Sequence, residues 1–116
     1  MKDNELDALS ELVALKEQKT GHRLARIQAL IDQLEGKAQV LRDTPGNAED
    51  DFGAAILHDR WQRWRGQQLA VLNEQLARLH AAAQPERERH AHNVARRNVV
   101  EKLRDQALAD RRARRP

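Results

Sequence analysis

Apolar residues return along this chain at alternating steps of three and four, and that spacing limits its fold more than any other feature. Leu6, Leu9 and Val13, then Leu24, Ile27, Ile31, Leu34, Ala38 and Leu41, follow it through residues 4–43. A repeat near 3.5 keeps a single narrow stripe on one side of a helix, a coiled-coil seam rather than the wider face of a globular helix. So thin a stripe is buried only against a second helix of the same kind. Glu17 and Thr20 occupy the seam between Lys16 and Arg23, where cohesion is weak, and Gly21 there costs about 1 kcal/mol relative to alanine. Asp3 or Asn4 is placed to cap the start, and Glu5, Asp7 and Glu11 suit the positive end of the helix dipole.

Asp43-Thr44-Pro45-Gly46-Asn47 is the one clear turn, with Asn47, Glu49, Asp50 and Asp51 suited to opening a second helix. The sequence therefore predicts helix 1 over about 4–43, a turn over 44–49 and helix 2 over about 50–113. Helix 2 carries Ala54, Leu57, Trp61, Trp64, Gln68, Leu72, Leu76, Leu79 and Ala83 along its seam, with a stutter between Trp64 and Leu76. The fold class is all-α: residues 1–116 form a single antiparallel coiled-coil hairpin. A pivot near residue 47 sets Leu72 against Leu24, Trp64 against Ile31 and Leu57 against Ala38. Helix 2 then outruns helix 1, leaving the stripe of Val94, Val99, Val100, Leu103, Ala107 and Leu108 past the N-terminus as an unpartnered docking surface. Pro85 removes a helical hydrogen bond and predicts a kink in helix 2; the alternative is a reversal there into a three-helix bundle.

Charge is uneven along the chain. Residues 1–53 hold 7 basic and 11 acidic side chains, residues 54–116 hold 14 basic and 7 acidic, and the excess gathers after Glu86. A basic end suits nucleic acid, anionic lipid or an acidic protein surface. Acidic residues interrupt the arginines and no aromatic lies among them to stack a base, so a solvated or protein-docking face is favoured over nucleic acid. With no cysteine, disulfide scaffolds and thiol chemistry are excluded. No apolar run is long enough to span a membrane, and the first residues have no apolar core of a signal peptide, which makes the cytoplasm the expected compartment.

No set of residues suggests catalysis. His90 and His92 are two apart and point to different faces of a helix, so a metal site is not expected, and Glu86–His90 and Glu88–His92 read as surface pairs. No cofactor motif is present. The three aromatics, Phe52, Trp61 and Trp64, cluster at the start of helix 2. They either close a thin core or offer indole edges to a partner.

Leu9-Ser-Glu-Leu-Val-Ala-Leu-Lys-Glu-Gln-Lys, the breaking turn, Trp61-x-x-Trp64 and Ala95-Arg-Arg-Asn-Val-Val-Glu-Lys-Leu-Arg together resemble the FliJ/YscO family, the coiled-coil stalk proteins of flagellar and virulence type III export machines. Pro85 departs from the pattern. The resemblance implies a non-enzymatic stalk that threads or regulates the hexameric export ATPase, links it to the export gate protein and in some members escorts secretion chaperones. It implies gate contacts in the region from Trp61 through Trp64 to Leu72, and ATPase contacts at Arg96, Arg97, Lys102 and Arg104; Val100 and Leu103 of the apolar stripe are partner-binding candidates beside them. The free protein is expected to be a monomer. Two other readings stay open: a nucleic-acid-binding coiled coil using the arginine-rich end, and a generic dimerisation or chaperone-like hairpin.

Overall fold

A computed structural model describes residues 2–44 and 52–115. The chain is all-α, with two long helices, α1 (Asp3–Asp43) and α2 (Phe52–Ala113), packed against each other. The predicted turn over 44–49 and its capping residue Asn47 lie, apart from Thr44, outside the described residues. α1 starts one residue earlier than its predicted caps require. Lys2 stands at the cap position, its carbonyl accepts from the Leu6 amide at 3.1 Å, and its own amide donates to Glu5 Oε2 at 3.3 Å. This is the reach-back half of a capping box. Thr44 ends α1 by donating both its amide and its hydroxyl to the Val40 carbonyl. At the other terminus Arg111 and Arg112 lie in the last turn of α2, where cations complement the dipole.

α2 passes through Pro85 without a break. The three-helix alternative is thereby excluded: with no Gly, Asn or Asp after Ala83 to form a turn, the helical neighbours carry the chain across the lost hydrogen bond. Pro85 is exposed.

The helices form two compact units. The first joins residues 1–26 to 83–116, and the second spans 27–82. In the first, the segments run antiparallel, with Asp3 paired to Arg111, Asp7 to Arg104 at 3.0 Å and Glu17 to Arg97 at 2.7 Å. Leu6, Val13, Thr20, Ala83 and Val100 form its buried line. This corrects the predicted register. A pivot near residue 47 would set Glu17 against residue 78, whereas its partner lies about nineteen positions further along. The arginines of late α2 match the acids of early α1, and that match outweighs the apolar match that a tight turn would give. The predicted bare C-terminal overhang is therefore not observed: Val100 is 5 % exposed, and Arg97 and Arg104 are held by α1.

In the second unit, Ile31 and Ala38 are the buried residues, His80 approaches Glu35 at 4.0 Å, and Leu41 and Leu72 wall one groove. α1 ends at Asp43, two residues beyond Leu41. The stretch of α2 from Phe52 to Gln68, about 25 Å at 1.5 Å per residue, thus runs past the last turn of α1. The unequal length shows at the beginning of α2, opposite to the expectation.

Candidate functional site

The seam of the first unit changes from apolar to polar over two turns. Thr20, buried, donates its hydroxyl proton toward the Lys16 and Glu17 carbonyls at 3.2 and 3.1 Å. Its oxygen accepts from Asn93 Nδ2 at 3.3 Å and lies 2.8 Å from His90 Nδ1. A hydroxyl has one proton and two lone pairs. With the proton on the backbone, the two lone pairs are left for the Asn93 amide and for an N–H at His90 Nδ1. Asn93 Nδ2 also reaches the Lys16 carbonyl at 3.3 Å. One turn on, Arg97 donates to Glu17 Oε2 at 2.7 Å and to Glu101 Oε1 at 3.0 Å. Glu17 first and then Glu101 hold the guanidinium pKa above its ordinary value.

The weak stretch at Glu17 and Thr20 is thus where α1 and α2 exchange specific polar contacts. Gly21 belongs to it: a Cβ there would meet His90 Cε1 at 3.4 Å. His90 pairs with Thr20 across the seam rather than with Glu86 on its own helix, since Glu86 Oε1 holds Arg89 at 2.8 Å. Glu86 Oε2 is buried without a partner. Along α2 itself, Asp59 pairs with Arg63 at 3.1 Å and Glu74 with Arg78 at 2.8 Å. Among the described residues no three His, Asp or Glu side chains are placed to hold a metal ion, and no helix is long and apolar enough to cross a membrane.

The predicted partner-binding residues divide into two sets. Arg97, Val100 and Arg104 face α1: Val100 is buried, and Arg104 donates to Ser10 Oγ at 3.1 Å as well as pairing with Asp7. Arg96, Lys102 and Leu103 point outward, and Arg96 walls a shallow groove with Lys16, Thr20 and Asn93. Val99, exposed between these residues, belongs with the outward set. What distinguishes the two sets is phase along the polar seam, which the apolar pattern does not reveal.

Trp61 and Trp64 also part company. Trp61 is half-buried, with Arg65 stacked over its ring at 4.8 Å and the His58 ring 6.4 Å away. Trp64 is 49 % exposed and Leu57 is 66 % exposed, so neither lies in the seam. The half-buried line instead runs through Ala54, His58, Trp61, Arg65, Gln68 and Leu72. Polar His58 and Arg65 occupy positions that an apolar pattern assigns to Leu57 and Trp64.

No family model, curated protein or solved structure matches the chain.

Proposed function

We propose that this chain is a non-enzymatic stalk or adaptor of a type III protein export apparatus, threading or regulating the hexameric export ATPase and linking it to the export gate in the cytoplasm. It acts by contact and takes no cofactor. The observation that supports this reading is that both helical units carry side chains suited to docking that their own partner helix leaves uncovered. In the first unit these are Arg96, Val99, Lys102 and Leu103; in the second they are Leu57 and Trp64. An arginine and lysine rim around apolar side chains fits a protein partner better than a solvated face does. The reading no longer draws on a free C-terminal arm. The resemblance in sequence assigns Arg96 and Lys102 of the first set to the ATPase, and Trp64 of the second, with Trp61 and Leu72, to the gate.

Arg96→Glu, Lys102→Glu and Leu103→Asp combined should weaken binding to the cognate export ATPase by at least about tenfold, a loss of about 1.4 kcal/mol. Helicity by circular dichroism should not change, because all three side chains are exposed. Unaltered ATPase binding would overturn the assignment. Arg112, Arg114 and Arg115, exposed together at the end of α2, favour the competing nucleic-acid reading. Its mark is duplex binding that falls steeply between two salt concentrations.

A further inference from the structure

We propose that the flank of α2 bearing Leu57, Trp64 and Val71 is a docking face for an acidic amphipathic helix of another protein. These residues recur at steps of seven, and they are 66 %, 49 % and 50 % exposed. Seven-residue spacing keeps them on one line, roughly a quarter turn round the helix from the half-buried line of Ala54, Trp61, Gln68 and Leu72. They therefore form a second seam, parallel to the first and without a helix on it. Arg60 lies three residues after Leu57 and four before Trp64, on the same face; Gln67 stands likewise between Trp64 and Val71.

At Val71 the stripe enters an open groove whose other wall is Lys37, Val40 and Leu41 of α1. Gly36 stands at its edge with nothing within 4 Å of where a Cβ would be, so a helix backbone can approach closely.

Charge selects the occupant. The described acids of α2 between Phe52 and Arg78 are Asp59 and Glu74, and they are committed to Arg63 at 3.1 Å and Arg78 at 2.8 Å. Arg60 and Lys37 have no ion pair among the described residues. A helix with leucines at heptad positions would fill the stripe, and glutamates on its flanks would meet Arg60 and Lys37, as flanking charges do in paired helices. The proposal shares with the export reading only the premise that early α2 faces a partner.

Two synthetic helical peptides of three heptads, alike in their leucine seam and carrying either glutamate or lysine at the flanking positions, test this without any export component. Trp61→Phe leaves Trp64 as the sole tryptophan, and circular dichroism checks that this variant stays helical. The glutamate peptide should shift Trp64 emission to the blue and bind at least about tenfold tighter than the lysine peptide at low salt, with the gap closing as salt rises. Val71→Glu should abolish binding, and Arg60→Glu in the otherwise natural chain should reduce or invert the preference. Equal binding of both peptides, binding of neither, or a Trp64 shift driven by protein concentration alone, which would mean a second copy on the face, would each overturn the proposal. A negative result here leaves the ATPase test at Arg96, Lys102 and Leu103 unaffected, so the two readings fail separately.

Discussion

The Thr20 hydroxyl oxygen and His90 Nδ1 stand 2.8 Å apart across seventy residues of sequence, at the centre of the seam that joins early α1 to late α2. Thr20 is buried, and its oxygen is shared with Asn93 while its proton goes to backbone carbonyls. A polar layer of this kind adds little net stability, because each group gives up water to enter it. It does penalise other registers, since sliding one helix would leave the buried Thr20 and the half-buried His90 and Asn93 without these partners. A single buried polar residue fixes pairing in coiled coils for the same reason.

Thr20→Val should therefore destabilise the fold by about 1 kcal/mol, the cost of leaving the half-buried His90 and Asn93 without their partner. Thr20→Val combined with His90→Leu and Asn93→Leu should recover most of that loss, because removing all the polar partners avoids the penalty. Urea denaturation of the natural chain and the two variants checks both outcomes.

The Glu17–Arg97 pair is partly exposed, with side chains 19 % and 45 % accessible, so its contribution should shrink as salt rises. The sign of its pH dependence follows from the guanidinium. Its pKa is raised by Glu17 and Glu101, so the arginine side of the contribution is complete below the ordinary arginine range and fades only above it. A double-mutant cycle with Glu17→Gln and Arg97→Gln should give a coupling free energy that is constant between about pH 6 and about pH 9 and smaller in high salt.

Ile31 is 1 % exposed and Leu57 is 66 % exposed, although both belong to apolar repeats. Ile31→Ala should cost about 2–5 kcal/mol, and Leu57→Ala should change stability by no more than about 0.5 kcal/mol. Thermal unfolding of the two variants separates seam from flank directly.

Pro85 is exposed inside an unbroken helix. Pro85→Ala restores a backbone donor and removes a clash, so it should stabilise the protein by up to about 3 kcal/mol, read as a rise in Tm.

The helices themselves were legible in the sequence. Heptad spacing from Leu6 to Leu41, the break after Asp43 and the scarcity of glycine and proline led to two helices with ends within two residues of those observed. The register was not legible from the same pattern. Apolar residues supply many near-equivalent matches, and a tight pivot at Pro45-Gly46 selects the wrong one. The discriminating partners are polar: Glu17 for Arg97, Asp7 for Arg104, Thr20 for His90 and Asn93. Their types are ordinary on a solvated helix, so nothing in their local sequence marks them as interhelical. The same limit applies to the candidate site. Arg96 and Arg97 are neighbours in sequence, yet one faces outward and the other grips α1, a difference set by a phase that polar seam residues carry.

The most direct measurement of that register uses the absence of native cysteine. Val13 and Val100 are both buried, and they lie between the Glu17–Arg97 and Ser10–Arg104 contacts. Val13→Cys with Val100→Cys should therefore oxidise to an intramolecular disulfide, a bond that requires Cα atoms within about 7 Å. Ala83 is the seam position nearest to the one that a pivot at residue 47 assigns to Val13, and it lies about 25 Å along α2 from Val100. Val13→Cys with Ala83→Cys should stay reduced under the same conditions; efficient closure of that second pair, with the first remaining open, would contradict the pairing of early α1 with late α2.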